Sequence, residues 1–196
     1  MTKAINSFKQ LTSFFFEVGT LRKIIRSHRQ TLLTDDLSDN IASHSYRVAV
    51  IGWFLAKMEK ADPYKVILMC LLHDLEESRC GDQNWVHKRF VKVFEKEIRE
   101  GQLKSLPKSG ELIELSEEYQ ERKTPEAKVA KDADLLDQVL ILKEYAWRGN
   151  KEAEDWLKGC EQEKLMFTQT GKKLAQEAYK QRPSMWWDNL WTSSRR

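Results

Sequence analysis

Apolar residues recur at intervals of three and four positions along almost the entire chain, the spacing that places side chains on one face of an α-helix. The 196 residues include only 8 glycines and 4 prolines, too few for a fold built from many tight turns and hairpins. No internal repeat or low-complexity linker interrupts the pattern. We therefore expect an all-α protein with one domain over residues 1–196, comprising a core over about 14–180 and a tryptophan-rich tail over 183–196.

Turn-forming residues and helix-start signals divide this pattern into predicted helices. The first helix is expected over residues 4–19, with an apolar face formed by Ile5, Phe8, Leu11, Phe15 and Val18. Residues 29–43 are polar and are predicted to form a long loop, which in compact domains is often functional. The remaining predicted helices cover residues 21–28, 44–61, 63–77, 85–101, 110–121, 125–147, 150–160 and 163–181.

The helix predicted over residues 63–77 is apolar on nearly all sides, so we expect it to be the central and most buried one. Three helix starts have clear capping signals. Ser43 is the expected N-cap of the helix that begins at His44. Asp62 precedes Pro63, and Thr124 precedes Pro125, with each proline at the first helical position.

Charge and cysteine content restrict the classes of function. Lys and Arg outnumber Asp and Glu by 33 to 30, and because the two signs are interleaved we expect no nucleic-acid partner. Three cysteines with no C-x-x-C pair favour reduced thiols and a cytoplasmic location. No apolar run approaches the ~20 residues that cross a bilayer, and the N-terminus lacks a signal-peptide pattern. We therefore expect no membrane association.

His73 and Asp74 stand at the end of the most apolar predicted helix, where ionisable groups are costly unless a cation or another partner binds them. His44 begins a helix directly after the polar loop, and Asp134 lies two positions before Leu136 in a buried stripe. Two imidazoles and two carboxylates would suit a divalent ion and leave positions for water and a phosphoryl oxygen. A core histidine bonded to a neighbouring aspartate is the alternative that the spacing leaves open.

Several other ionisable residues lack such a context and are interpreted as solvated surface groups. They are His28, His87, Glu76, Asp132 and Asp137.

Three stretches together resemble the HD-domain metal-dependent phosphohydrolases: SHSYRVAVIGWFLA around His44, LLHDLEESRCGD around His73 and Asp74, and LSEEYQERKTPEAKVAKDADLLDQVLILKEYA around Asp134. The similarity is greatest to their branch of small 5′-deoxynucleotidases, of the HD domain-containing protein 2 type. It extends over about residues 14–180. That branch has a motif of the form HD-x-x-E-x-x-x-GD, and this chain matches it at His73, Asp74, Glu77, Gly81 and Asp82.

The resemblance implies an orthogonal helical bundle of the HD type, a homodimer, and hydrolysis of (deoxy)nucleoside 5′-monophosphates to nucleoside and phosphate. It also implies one divalent metal ion (Mn, Co, Fe, Ni, Zn or Mg), with His44, His73, Asp74 and Asp134 as ligands. Glu77 would orient or deprotonate the attacking water, and Asp82 would protonate or position the leaving 5′-oxygen. The alternative for Glu77 is a charge at a helix end beside Arg79.

The same resemblance implies an arginine about fifteen residues before the first histidine that binds the 5′-phosphate. Arg29 stands at that distance from His44, Arg26 is nearby, and Lys88 is a second candidate. The aromatic residue that shapes the sugar pocket in the branch is missing from its usual place. This difference affects the expected specificity for deoxynucleotides and leaves the metal chemistry intact.

Two alternative functions remain open on sequence grounds. One is an HD phosphohydrolase that acts on another small phosphate, such as a nucleoside di- or triphosphate or a cyclic nucleotide. The other is a non-catalytic helical module with a structural metal or none.

Overall fold

A computed structural model describes residues 2–190 of the chain, and this part is helical, as the all-α prediction requires. Its only β-pairing is an isolated antiparallel bridge between Ile25 and Asn40. Short 3₁₀ helices cover Gly19–Lys23 and Met185–Leu190. The α-helices of residues 2–190 are α1 (Thr2–Val18), α2 (His28–Thr31), α3 (Ile41–Glu59), α4 (Pro63–Leu72), α5 (Glu77–Cys80), α6 (Trp85–Phe90), α7 (Glu95–Leu103), α8 (Gly110–Glu121), α9 (Pro125–Trp147), α10 (Lys151–Lys158), α11 (Glu161–Leu165) and α12 (Gln169–Lys180).

The central helix is α9, and the prediction that the helix after Asp62 would be the most buried was wrong. Helix α9 packs against α3, α4, α8, α10, α11 and α12, and its buried residues lie on several sides. On α4 only Val66, Met69 and Cys70 are buried, while Leu71 is exposed. The high apolar content of α4 therefore identified a helix that lines the core on one side. Helix α9 is the central one because other helices pack against it on several sides.

Side-chain caps explain where the helices that carry the core begin. Asp62 accepts hydrogen bonds from the backbone N–H groups of Tyr64 and Lys65, with Pro63 at the first helical position, as predicted. Helix α3 begins earlier than expected, because Asn40 and not Ser43 is its N-cap. His44 therefore lies inside the first turns of α3 and not at its start.

Helices α3 and α4 approach closely at Gly52. A Cβ atom added there would lie 2.7 Å from Cys70 Sγ and 3.0 Å from Val66 Cγ1. Val48, Leu55 and Ala133 are buried in the same core cluster. The absence of a side chain at Gly52 thus lets α3, α4 and α9 pack together, and these are the three helices that meet at the site described below.

The apolar face predicted for the first helix was correct at Leu11 and wrong at Phe8, Phe15 and Val18. Leu11 and Phe14 pack against a buried cluster that includes Leu21 and Ile41. Phe8 and Phe15 are exposed, as is Val18, while the side chain of Ile5 lies outside the described part. A helix with two apolar stripes does not reveal from its sequence which stripe meets the core.

Two further boundaries differ from the predictions. The helix expected over 21–28 is replaced by the 3₁₀ turn and an extended segment that hydrogen-bonds to the chain before α3. Helix α2 begins at His28, the last residue of that predicted helix, and continues into the loop predicted over 29–43. The helix expected over 85–101 is interrupted at Val91, where the backbone becomes extended. In one continuous helix Phe90, Val93, Phe94 and Ile98 would form a single apolar stripe, but Phe90 and Phe94 are exposed.

The chain after α12 includes three tryptophans. Trp186 and Trp187 contact each other with ring centroids 4.8 Å apart, and Trp186 remains 72% exposed. Trp191 lies outside the described residues. Within residues 2–190, no helix combines the length and the apolar character needed to cross a bilayer.

Candidate active site

Three packed helices bring together the four residues predicted as metal ligands. His44 lies in the first turns of α3, and Asp134 lies near the middle of α9. Helix α4 ends at Leu72, so His73 and Asp74 occupy the turn that follows it. The turn exposes the end of an apolar helix to a cavity, and it is held by backbone hydrogen bonds such as Glu77 N–H to Asp74 O at 3.1 Å.

The facing atoms of His44, His73 and Asp134 all lie within 4.8 Å of one another, and Asp74 lies beside both imidazoles. His44 Nε2 is 3.1 Å from His73 Nε2 and 3.3 Å from Asp134 Oδ1. Asp74 Oδ2 is 3.2 Å from His73 Nε2 and 3.5 Å from His44 Nε2. Both histidines are buried, and the two carboxylates are largely so. The structure thus gathers two imidazole nitrogens and two carboxylate oxygens around one point.

The outer nitrogen of each imidazole determines what its inner nitrogen can do. His73 Nδ1 is 2.7 Å from the Cys70 carbonyl oxygen, which can only accept, so Nδ1 carries the hydrogen. His44 Nδ1 is 2.7 Å from Asp137 Oδ2, which has the same effect. In the neutral rings each Nε2 atom therefore carries a lone pair and no hydrogen, and the two Nε2 atoms face each other at 3.1 Å. Such an arrangement is stabilised by positive charge between the rings, which a shared proton or a metal ion can supply, and the N₂O₂ donor set fits a divalent metal ion.

The pKa values at this point also favour added positive charge. Burial alone would lower the pKa of His73, but Asp74 and Asp134 raise it well above its usual value. Burial alone would raise the pKa of Asp74, yet His73, His44 and Arg26 hold it below its usual range. The carboxylates thus remain ionised and stabilise a cation among them.

Glu77 lies in the first turn of α5, directly after the His73–Asp74 turn. Burial, followed by the charges of Asp74 and Asp82, raises the pKa of Glu77 to about 10. Its buried Oε2 has no hydrogen-bond partner among the described residues. Without added positive charge this carboxyl group is protonated at neutral pH, and a divalent ion beside Asp74 would lower its pKa.

Arg26 is the buried cation of the site. Its side chain is only 11% exposed, with Nη1 4.0 Å from Asp74 Oδ2 and Nε 3.5 Å from Asp82 Oδ2. Neither Nε nor Nη1 makes a hydrogen bond within the described part of the chain. Burial would lower the pKa of Arg26, but the charges of Asp74 and Asp82 hold it above its usual value. A charged guanidinium with unused donors is a suitable partner for a phosphate group.

Asp82 links the Arg26 segment to the turn after α5. Its Oδ2 accepts hydrogen bonds from the Ser27 backbone N–H at 2.6 Å and from the Ser27 hydroxyl at 2.9 Å. Asn84 adds a bond from its side-chain amide to the Ser27 carbonyl oxygen at 3.1 Å. Asp82 therefore orients the residues on either side of Ser27, Arg26 included.

The structure brings one of the two predicted phosphate-binding residues to the site and not the other. Lys88, on α6, lines the same cavity as Arg26. The Arg29 side chain is 45% exposed and faces Asp35, with Nη2 3.2 Å from its Oδ1. Arg29 lines a separate surface depression. Counting residues back from His44 selected an arginine that does not line this cavity, because the segment before α3 includes a short helix and a bridge that the sequence did not predict.

These groups line one cavity of about 360 Å³. Its wall includes the His73–Asp74 turn, Glu77, Asp134 and Arg26. On the α8 side, the ring of Tyr119 packs edge-on against His73, with centroids 5.6 Å apart. Of the four residues His44, His73, Asp74 and Asp134, which we call the cation-binding cluster, all but His44 line the cavity. The cavity therefore brings most of this cluster together with a buried guanidinium and the carboxyl group of Glu77.

Four ionisable residues predicted to be solvated are buried, and those predictions were wrong. Asp137 is bonded to His44 and to Arg47 Nε. Asp132 accepts hydrogen bonds from the backbone N–H groups of Phe167 and Thr168, each at 2.8 Å, before α12. Because α9 is covered on several sides, residues away from its apolar stripe are buried too.

Glu76 and His28 are the other two. Glu76 Oε1 accepts from Arg99 Nη1 at 3.0 Å, and burial raises its pKa to about 7. His28 packs against Trp156, and burial lowers its pKa to about 4. His87, expected to be solvated, is half-buried and takes part in the capping box of α6 through Asn84.

Sequence reasoning also missed Lys131, whose Nζ is 2.6 Å from Asp134 Oδ2. The three-residue spacing of the two residues on a predicted helix was the signal that could have revealed this pair.

The sequence profile of the HD domain family matches residues 18–176 of the chain. The chain belongs to the HD domain family. The matched residues include all four members of the cation-binding cluster, together with Arg26 and Glu77. The HD-type all-α fold predicted from the sequence is thereby confirmed.

Two curated relatives of this HD domain carry the name 5′-deoxynucleotidase HDDC2. The protein from Dictyostelium discoideum is 32% identical over 123 residues, which cover 56% of this chain and 64% of the relative. The protein from Xenopus laevis is 31% identical over 145 residues, which cover 70% of each chain. The chain thus matches about two thirds of the length of these relatives.

A solved structure shares the fold of this HD domain. It is a conserved hypothetical protein from Pyrococcus furiosus, with a TM-score of 0.72, 24% sequence identity, and coverage of 87% of this chain and 99% of that one. At this level of identity the likeness shows the fold alone.

Proposed function

We propose that this HD domain is a metal-dependent phosphomonoesterase that hydrolyses (deoxy)nucleoside 5′-monophosphates to nucleoside and phosphate. The observation that carries the proposal is the convergence of two imidazole lone pairs and two carboxylates beside a buried arginine in one cavity. The relatives named 5′-deoxynucleotidase support the substrate class.

His44, His73, Asp74 and Asp134 would hold the divalent ion. The ion would supply Lewis-acid polarisation of the phosphoryl group and would lower the pKa of a water molecule. The N₂O₂ set is compatible with Mn, Co, Fe, Ni, Zn or Mg, and metal supply would select among them.

The chain's own residues would perform the remaining steps. Arg26, in place of Arg29, would bind the phosphate oxygens, with Lys88 at the cavity rim as a second cation. Glu77 would accept a proton from the attacking water as that water forms its bond to phosphorus. The bond between phosphorus and the 5′-oxygen breaks, and Asp82 would deliver or direct a proton to that oxygen. Asp82 would also hold Arg26 in position through Ser27.

The test is phosphate release from a panel of ribo- and deoxyribonucleoside 5′-monophosphates. Metal-stripped protein is resupplied with Mn, Co, Mg or Zn in separate reactions. Metal-dependent release from nucleotides by the wild type, with loss in Asp74→Asn, is the expected result. Asp132→Asn is the matched control, since this buried carboxylate lies away from the cluster. Release that does not require metal, or an equal loss in both variants, would contradict the proposal.

We extend the proposal to a homodimer in the cytoplasm. Helix α3 exposes an apolar stripe of the kind that protein interfaces cover, formed by Tyr46, Val50, Trp53, Phe54 and Met58. The three cysteines form no disulfide, which supports a reducing compartment. Light scattering should give twice the chain mass for the wild type and the single-chain mass for Phe54→Arg. A monomeric wild type would contradict the dimer.

A further inference from the structure

One wall of the cavity has polar and aromatic residues that the hydrolytic steps do not use. His28 of α2, Gln138 of α9 and Trp156 of α10 all line the cavity. Gln138 Nε2 is 3.3 Å from His28 Nε2. The rings of His28 and Trp156 pack edge to face, with their centroids 5.5 Å apart and their planes at 81°. Three separate helices thus build one cluster, which we call the 28–138–156 wall.

The hydrogen bonds of this wall are incomplete. An amide N–H can only donate, so His28 Nε2 accepts from Gln138 and the ring hydrogen lies on Nδ1. His28 is buried and its Nδ1 has no partner among residues 2–190. Gln138 retains a second N–H and its carbonyl oxygen. The free N–H and carbonyl groups of Gln138 suit a ligand hydroxyl, which can both accept from a donor and donate to an acceptor.

The 28–138–156 wall lies about the width of one sugar ring from Arg26 and Asp134, the residues proposed to hold the phosphate and the metal ion. His28 follows Arg26 by two residues, so their Cα atoms are at most about 7 Å apart. Gln138 follows Asp134 by one helical turn on α9, which separates them by about 6 Å along the axis. A phosphate held at Arg26 beside Asp134 therefore has its first organic substituent within reach of His28 and Gln138.

We infer that the 28–138–156 wall is the nucleoside subsite, in which Gln138, oriented by its hydrogen bond to His28, binds a hydroxyl group of the sugar and Trp156 packs against the nucleoside. This inference rests on the proposed function, since it requires a nucleotide in the cavity. A sugar hydroxyl is small and neutral, and it can both donate and accept a hydrogen bond, as the free groups of Gln138 require. A second phosphate would find no cationic side chain among the three residues of the wall. Selection would then depend on the presence of a sugar hydroxyl.

The experiment measures binding of uncleavable analogues to the metal-loaded protein by calorimetry. The probes are the phosphonate analogues of 2′-deoxyadenosine and 2′,3′-dideoxyadenosine 5′-monophosphate, in which a CH₂ group replaces the 5′-oxygen. The wild type should prefer the analogue with the 3′-hydroxyl by about tenfold, the equivalent of one hydrogen bond. Gln138→Leu should reduce this preference to less than about twofold by weakening the hydroxylated analogue.

Gln120→Leu is the matched control, since Gln120 lines the cavity from α8, away from this wall. It should preserve the tenfold preference. A wild type without preference, or a preference retained in Gln138→Leu, would overturn the inference, and the wild-type comparison stands even where a variant fails to fold. Because the analogues are not cleaved, a failure of the proposed function would appear separately, as absence of phosphate release from true nucleotides.

Discussion

Replacing Asp137 with asparagine should weaken metal binding, although Asp137 is not among the proposed ligands. Its two oxygens have separate partners: Oδ2 faces His44 Nδ1 at 2.7 Å, and Oδ1 accepts from Arg47 Nε. Both partners are donors. An asparagine offers one oxygen and one NH₂ group, so whichever way it turns, one donor meets another donor.

The magnitude follows from the loss of one charge-assisted hydrogen bond. Such a bond contributes about 1.5–3 kcal/mol, equivalent to about a 10- to 100-fold loss in metal affinity. Arg47 can hold the asparagine oxygen because it is anchored on Glu144 as well, with Nη1 2.6 Å from Oε1. His44 would then face an NH₂ group and shift its hydrogen to Nε2, the atom proposed to bind the metal.

Calorimetric titration of Mn²⁺ into metal-stripped protein measures this effect. Asp132→Asn is again the control, because Asp132 is fully buried five residues earlier on α9 and bonds Phe167 and Thr168. It should keep its metal affinity within about twofold, while denaturant unfolding shows a loss of about 2 kcal/mol. Wild-type affinity in Asp137→Asn, or equal weakening in both variants, would refute the role of Asp137 in orienting His44.

Three further predictions concern the cavity. Arg26→Ala should lower kcat/KM for nucleotides by about 100-fold or more, whereas Arg29→Ala should change it less than about twofold; a larger effect at Arg29 in phosphate-release kinetics would reverse the assignment. Glu77→Gln should retain metal by calorimetry but lose about 1,000-fold in kcat, and an unchanged kcat would remove Glu77 from the mechanism. Because burial lowers the pKa of His28 from 6.5 to about 4, acid favours the unfolded state between these values. Denaturant unfolding should show the wild type losing about 2 kcal/mol more than His28→Phe between pH 7 and pH 5, and equal losses would mean that His28 is not buried in its neutral form.

Much of the fold followed from local pattern. The spacing of apolar residues and the start signals at Asp62–Pro63 and Thr124–Pro125 predicted α4 and α9 with their beginnings correct. These features act within a few residues, so the sequence displays them directly. The interruption after Phe90 was not predicted, because the residues on both sides continue a helical pattern.

The convergence of the cluster was predicted for a similar reason. His73 and Asp74 stood out as ionisable residues at the end of an apolar helix, and the motif that contains them resembled a known family. Glu77 and Asp82 came with the same motif. The cavity also includes Arg26, which was named from the sequence only as a neighbour of Arg29, and the 28–138–156 wall, which was not predicted as part of the site.

The sequence by itself thus determined the helical class, the family and the set of residues that could bind a divalent ion. Only the tertiary structure decided that Asp137 orients His44, that Arg26 and not Arg29 lines the cavity, and that α9 is central. Helical periodicity reports one buried face, whereas burial of Asp132 and Asp137 depends on neighbours packed on other faces. Distance along an irregular segment likewise does not specify direction in space, which is why residue counting alone selected Arg29, which lies outside the cavity.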